Sequence, residues 1–343
     1  MKPGVLLIRA DAGLMIGIGH VMRCLALAQA WQSAGGMASL AAAELPAALL
    51  QRVAAEGVSL SRIHARPGGR EDAGETVAHA RRLRADWVVI DGDRFGSDFL
   101  GTVRSAGFRV LLIDDFANRE SFPADLIVNP NLDEGGEPYR ERGAIAPLLM
   151  GPSYVLLRRE FRQRAKKREI RQTGNRILVT LGGSDPENLT PKIANALEHN
   201  YDLDITVIAG AGFDKATELR KLNASNLRVV FNPPNIAQLM KDCDQAIIAA
   251  GGTLWELLSM GCAVLSYSRN SVQARVVQAL SHRGVVVDMG QTCHFGAAKL
   301  LASVKKLVDS RTGRDRMGQL GRTLVDGLGT TRIVEAAQQS EIQ

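Results

Sequence analysis

The residue types with most chemical potential in the first half of the chain lie in one short loop and the helix start after it. Gly17-Ile18-Gly19-His20-Val21-Met22-Arg23 follows an apolar run, and Asp11 precedes it on the same loop. Glycines there let backbone approach a ligand, and His20 stands at a helix N-terminus with Arg23 three residues on, hence on the same face. A neutral imidazole near the positive end of a helix has a depressed pKa, which suits a general base. The same placement also suits a histidine that only caps the helix. Asp11, Gly19 and Arg23 are the candidate substrate contacts around it. The spacing departs from the dinucleotide fingerprint, because Met22 occupies the place of the third glycine that permits close helix–strand packing. No Gly-Lys-Ser/Thr ends a glycine-rich loop, and no Gly-x-Ser-x-Gly elbow occurs.

The second half offers Gly251-Gly252-Thr253-Leu254-Trp255-Glu256. Two glycines and a threonine at a helix start make a phosphate site, since free N–H groups and the helix dipole point at the anion. Glu256, one turn further, is placed to accept from ribose hydroxyls. Gly182-Gly183-Ser184-Asp185 is a similar loop on another strand. Each is equally an ordinary turn and cap. Asp114-Asp115 ends a strand and is either a turn and cap or a pair of contacts in a cleft. His64, His79, His199, His282 and His294 lack metal-ligand spacing. Cys24, Cys243, Cys262 and Cys293 lack CxxC spacing, which argues against zinc and a disulfide framework and suits a reducing compartment. Neither a metal nor a cofactor is expected.

The elements that must position these residues follow one grammar. Apolar runs at Val5–Ala10, Trp87–Ile90, Arg109–Ile113 and Leu126–Val128 each end in a polar or glycine position. In the second half, Arg176–Leu181, Asp204–Ala209, Leu227–Phe231, Gln245–Ala250, Ala263–Tyr267 and Gly284–Asp288 do the same. A helix over His20–Ala34 closes at Gly35-Gly36. Alternating strands and helices predict parallel sheets covered on both faces, with ligands at the carboxyl ends of the strands. A length of 343 residues favours two domains. They divide as 1–155, a basic linker helix over 156–172, and 173–343. The linker reads as a solvated charged helix, or one whose starting arginine, Arg158, reaches a substrate. The net charge of +6 biases the chain toward anionic small molecules, and 5% aromatics are too few for stacking on bases, so no nucleic acid is expected. Arg9 and Asp11 break the opening apolar run, so it is no signal peptide, and no run approaches the ~18 residues that span a bilayer. A cytoplasmic protein without a membrane partner is expected.

Arg9-Ala10-Asp11-Ala12-Gly13 followed by Ile16 through Leu25 resembles the N-terminal signature of the UDP-sugar hydrolases of pseudaminic acid synthesis. Ile113-Asp114-Asp115, Leu149 through Phe161, Leu181 through Pro186, and Gly251-Gly252-Thr253 with Glu256 extend the likeness in order along nearly the whole chain. The resemblance implies a GT-B-like α/β fold, with two Rossmann-type doubly wound parallel-sheet domains facing a central cleft. It implies inverting hydrolysis of UDP-2,4-diacetamido-2,4,6-trideoxy-β-L-altropyranose to the free sugar and UDP, with His20 as the catalytic histidine. It makes Glu256 a ribose contact and Gly251–Thr253 a diphosphate contact, joined in the nucleotide site by Gly183 and Ser184. The Asn232–Ile236 loop, bounded by Asn232 and Ile236, matches the segment that lines uracil. The family carries an Asn-Gln pair as a sugar contact. Here Gln273 matches, Val272 stands in the place of the Asn, and Asn270 lies nearby; a sister enzyme for a related deoxy-amino sugar fits this departure. The implied partner is a small UDP-sugar bound by a monomer. A glycosyltransferase of the same fold and a non-catalytic nucleotide-sugar-binding protein are the rivals, and His20, Arg23 and Glu256 together argue against the latter.

Overall fold

Runs of Val, Ile, Leu and Ala at consecutive positions can be buried on both faces only inside a parallel sheet covered by helices. The computed structural model describes residues 2–13, 16–131, 135–164, 171–183, 185–200, 202–210, 218–219, 222 and 224–340. Its elements run β1 (Val5–Ala10), α1 (Gly19–Ser33), β2 (Met37–Ala42), α2 (Ala47–Ala55), β3 (Ser59–Arg62), α3 (Arg70–Leu83), β4 (Trp87–Asp91), α4 (Ser97–Ser105), β5 (Arg109–Ile113), β6 (Leu126–Asn129), α5 (Glu137–Arg140), β7 (Leu148–Met150) and α6 (Arg159–Arg164). There follow β8 (Arg176–Thr180), α7 (Leu189–Glu198), β9 (Asp204–Ala209), β10 (Leu227–Phe231), α8 (Ile236–Asp242), β11 (Gln245–Ala249), α9 (Gly252–Ser259), β12 (Ala263–Ser268), α10 (Ser271–His282), β13 (Val287–Gln291), α11 (Ala297–Asp309), α12 (Arg311–Leu324) and α13 (Gly329–Gln339).

Two compact units result, one of Met1–Arg159 with Gly327–Gln343, the other of Glu160–Asp326. Among the described residues the first unit holds a parallel sheet in the order β3-β2-β1-β4-β5-β6-β7 and the second one in the order β10-β9-β8-β11-β12-β13. In both, the order reverses beside the first strand, between β1 and β4 and between β8 and β11. Crevices at such reversals, outside the carboxyl ends of the strands, are where open α/β sheets bind ligands. The first sheet is buried on one face by α1 and α13, with Leu27, Trp31, Ile333 and Val334 against Leu6 and Ile8. Its other face carries Leu7, Val88 and Ile90 against Phe99, Leu100 and Val103 of α4.

Besides strands β2, β3 and β7, which the sequence reading does not single out, the structure departs from the expectation as follows. The C-terminal segment, expected with the second domain, returns to the first, because the apolar face of α13 (Ile333, Val334, Ala337) completes the core beside α1. A Cβ at Gly329 would stand 2.3 Å from the Val155 carbonyl oxygen, so the start of α13 tolerates only glycine against that backbone. The last strand begins at Val287 rather than Gly284. Gly284 has φ +71 and its N–H bonds the Ser281 carbonyl at 2.9 Å, so it ends α10 in the left-handed conformation instead of opening a strand. In the basic stretch 156–172 the helix covers Arg159–Arg164, and residues 165–170 lie outside the described residues. Among the described residues no helix is long and apolar enough to cross a membrane.

Candidate active site

Successive strands of the first sheet each bring one polar group to the same carboxyl edge. Ala10 of β1 is in register with Asp91 at the end of β4, so Asp91 lies beside the loop that leads into α1. Asp91 is in turn in register with Ile113 of β5, two residues before Asp115, and Asn131 follows β6. The loop from β1 is pinched by mutual backbone hydrogen bonds between Gly13 and Gly17 (3.1 and 2.8 Å), and α1 begins two residues later. His20 and Arg23 therefore share the first turn of α1, directly above β4.

His20 Nδ1 lies 2.7 Å from Asp91 Oδ1. Arg23 donates from Nε to Asp91 Oδ2 at 2.7 Å and from Nη2 to Asp91 Oδ1. Its Nη1 and Nη2 also donate to the two oxygens of Asp115, at 2.8 and 2.9 Å. Asn131 Nδ2 donates to Asp115, and the Cys24 thiol donates to Asp91 Oδ2 at 3.3 Å. Asp91 is fully buried, whereas the His20 side chain is 22% exposed. A carboxylate at Nδ1 fixes the tautomer: the neutral ring carries its proton on Nδ1, and Nε2 presents a lone pair. Nε2 makes no hydrogen bond to the described residues.

The electrostatics reverse one expectation. Asp91 raises the pKa of His20 above that of an ordinary histidine, while burial and Arg23 pull the other way and Asp115 adds to the rise. The helix N-terminus, expected to depress it, contributes only about 0.3–1 kcal/mol, against about 1.5–3 kcal/mol for a charge-assisted hydrogen bond. Burial alone would raise Asp91, yet Arg23 and then His20 hold it well below the usual carboxylate range. Burial, then the charge of Asp91, pushes the Cys24 thiol up, so it stays a proton donor. The arrangement is an oriented imidazole of increased basicity, able to take a proton at Nε2.

At the carboxyl edge of the second sheet the groups are mostly backbone. Gly251 and Gly252 are exposed between β11 and α9, and a Cβ at either would meet nothing within 4 Å. Thr253 and Glu256 are half-buried on α9. Gly183 packs against Gly210 at the end of β9 so closely that a Cβ on Gly210 would stand 2.6 Å from the Gly183 Cα. Asp185, behind it, accepts from the N–H groups of Leu189 and Thr190 at 3.2 and 2.7 Å and starts α7. Asn232 is exposed with φ 45, its N–H bonded to the Ala209 carbonyl at 3.0 Å, and Ile236 opens α8. Ser184 lies outside the described residues.

Several residues expected to contact substrate also make hydrogen bonds within the fold, although Asp11 Oδ2 is buried with no hydrogen bond among the described residues. Asp11 is buried; its Oδ1 accepts from Arg9 at 2.8 Å and from the N–H groups of Ala43 and Glu44 at 2.7 and 3.1 Å, which ties β1 to the loop after β2. Arg23, expected to touch substrate, divides its guanidinium between two carboxylates. Asn270 Oδ1 accepts from the Gln273 N–H at 2.9 Å while Gln273 Oε1 accepts from the Arg269 N–H at 2.8 Å, a reciprocal cap of α10. Arg158 is buried in the first unit, beside its boundary at Arg159. The acidic pair splits. Asp114 is buried with Arg119, the Ala117 N–H and the Tyr139 hydroxyl (the last two at 2.7 Å), whereas Asp115 joins Arg23. Asp91 and Asn131 were not singled out from sequence. The available signal was the polar residue that ends each apolar run of the first half.

The chain is 26% identical over 275 residues to an uncharacterized protein of Methanocaldococcus jannaschii, covering 77% of this chain and 55% of that one. It is 26% identical over 193 residues to a spore coat polysaccharide biosynthesis protein of Bacillus subtilis, covering 55% and 57%. The chain thus spans little more than half the length of these two relatives. With the UDP-2,4-diacetamido-2,4,6-trideoxy-beta-L-altropyranose hydrolase of Campylobacter jejuni it shares 26% identity over 290 residues, covering 82% of this chain and 98% of the hydrolase. The aligned region takes in nearly all of that hydrolase. No protein-family model matches. Among solved structures, Acinetobacter baumannii MurG superposes with a TM-score of 0.68 over 98% of this chain and 99% of its own, at 17% identity. A putative UDP-N-acetylglucosamine 2-epimerase of Listeria monocytogenes gives 0.67 over 98% and 96%, at 14% identity. The fold is GT-B-like, as the sequence resemblance implied. Those structures carry different activities, so the fold alone leaves the reaction open.

Proposed function

We propose that the chain is a nucleotide-sugar enzyme that hydrolyses a UDP-linked diacetamido-trideoxyhexose at the anomeric carbon. The observation that carries this reading is His20, oriented by buried Asp91, with Nε2 making no hydrogen bond to the described residues at the edge of β1 and β4. The likeness to the Campylobacter hydrolase over 98% of its length supports the same substrate class. In this scheme Nε2 takes a proton from water as its oxygen attacks the anomeric carbon. The bond from that carbon to the diphosphate oxygen breaks, and UDP leaves with the electron pair. Asp91 stabilises the imidazolium that forms. Gly251, Gly252 and Thr253 hold the diphosphate through N–H groups, and Glu256 accepts from the ribose. Gly183, Asn232 and Ile236 complete the nucleotide site in this reading. One direct displacement inverts the centre.

Hydrolysis in ¹⁸O-labelled water tests it. The label is expected on the anomeric oxygen of a sugar released without any acceptor, with UDP unlabelled and the first-formed anomer inverted. Label in UDP or in a nucleoside monophosphate would show attack at phosphorus and overturn the mechanism. UDP release that requires an added acceptor would make the protein a transferase.

A further inference from the structure

Arg269 is the residue that follows β12, and its main chain is held by the Gln273 side chain at 2.8 Å. Its guanidinium reaches back to donate from Nη2 to the Leu181 carbonyl, just past the end of β8. Since β11 lies between β8 and β12, the side chain passes over the end of β11. There the Ala250 N–H bonds the Tyr267 carbonyl at 2.7 Å and the chain turns into Gly251-Gly252. Nη1 lies 3.8 Å from where a Cβ on Gly182 would be, against the other glycine turn. The guanidinium thus spans the strand-order reversal, against the Gly182 turn and across the strand end that leads into Gly251-Gly252, with Nη1 making no hydrogen bond to the described residues. Its ionic partner is Glu187, with Nε–Oε2 at 3.4 Å and side chains 24% and 37% exposed. Nε itself is buried and makes no hydrogen bond to Glu187, so this contact leaves Nη1 available.

We propose that Arg269 binds the diphosphate of the substrate and neutralises the charge that grows on the departing nucleoside diphosphate. The inference rests on the nucleotide-sugar reading and adds the cation that backbone N–H groups alone do not supply. A diphosphate spread over two glycine turns needs a planar donor able to contact more than one oxygen, and a guanidinium with a free edge is such a donor.

The test is calorimetric titration of UDP and of uridine into the wild type, Arg269→Gln, Arg269→Lys and Glu187→Gln. The wild type is expected to bind UDP more tightly than uridine. Arg269→Gln should weaken UDP about 10- to 100-fold and leave uridine within about twofold, with Arg269→Lys in between. Glu187→Gln, a change on an exposed side chain, should tighten UDP a few-fold and leave uridine unchanged, because it removes a negative charge next to the phosphates. A wild type that binds neither ligand, or both equally, would end the nucleotide-sugar reading and this inference with it. If the wild type prefers UDP and Arg269→Gln keeps that preference, or weakens both ligands alike, the role of Arg269 falls while the reading stands. If Arg269→Gln does not fold, an unchanged UDP-to-uridine ratio in Glu187→Gln overturns it.

Discussion

At the carboxyl edge of the first sheet, charged side chains from α1, β4 and the loop after β5, with an asparagine from the loop after β6, hold one another. At the same edge of the second, the corresponding positions are glycine backbone, a capping pair and one arginine arm. Both edges sit at a strand-order reversal, yet they suit different tasks. A buried carboxylate shared by histidine and arginine carries a large desolvation cost that only mutual pairing offsets, and the result is one fixed geometry and a shifted pKa. Open glycine turns impose neither. A Cβ at Gly251 or Gly252 would meet nothing within 4 Å, so the backbone there is open to an approaching group. A proton-transfer group needs the first kind of surroundings, because its orientation and basicity set the rate. A holding site can rely on the second.

The most severe way to break the comparison is to remove the imidazole. His20→Ala or His20→Asn should leave the fold intact, since the side chain is partly exposed, and lower kcat on the order of 10²–10⁴-fold, the loss of a general base. A folded variant with near wild-type kcat would make His20 a helix-start residue and remove chemistry from the first edge.

Asp91→Asn sharpens the same point. The groups around His20 are Asp91, Arg23, Asp93 and Asp115. The base must be neutral to act, and Asp91 raises its pKa, so wild-type kcat/KM should fall on the acid side with an apparent pKa above the ~6.5 of ordinary histidine. Removing that negative charge takes away the largest raising influence, so the acid limb should move to lower pH. The rate on the plateau should fall roughly 10- to 150-fold with the loss of a charge-assisted hydrogen bond. A pH–rate profile decides; an unmoved limb would separate Asp91 from the titration that controls catalysis.

On the second edge, Glu256→Ala should weaken UDP by roughly 10- to 150-fold, about 1.5–3 kcal/mol, with little change in kcat. Calorimetry with UDP checks it. An effect on kcat instead would place Glu256 with the chemistry and erase the division of labour between the two edges.

How much of this was legible beforehand follows from the same contrast. Glycine turns and cap residues are local, so Gly251-Gly252-Thr253 and the strands feeding them could be read from neighbouring residues. The likeness of the first loop placed His20 as well. Asp91 was hidden because its partner is 71 positions away and only the adjacency of β1 and β4 brings them together. The strand β2 was missed because Met-Ala-Ser-Leu-Ala-Ala lacks the β-branched and aromatic residues that announce a strand, and its neighbours decide its state. Sequence shows the charges of Asp11 and Arg23 without their partners; the structure puts Arg9 beside Asp11, and Asp91 and Asp115 beside Arg23.

The smallest expected effect concerns Asn270, whose sequence position suggested sugar recognition in place of the asparagine missing at 272. In the structure its oxygen caps α10, and that role predicts its own pattern of substitution. Asn270→Ala should cost about 0.5–2 kcal/mol of stability, the usual value of a lost N-cap, and lower the melting temperature by a few degrees. Asn270→Asp should restore it, because a carboxylate caps the same N–H of Gln273 at least as well. KM should change little in either variant beyond what loosening of the Arg269 main chain produces. If Asn270 instead reads the sugar, Asn270→Asp will melt with the wild type and yet raise KM, since the amide N–H donors that a carboxylate lacks would be the lost contact. Melting curves and KM for this pair of variants therefore separate a residue that shapes the second edge from one that touches the ligand there.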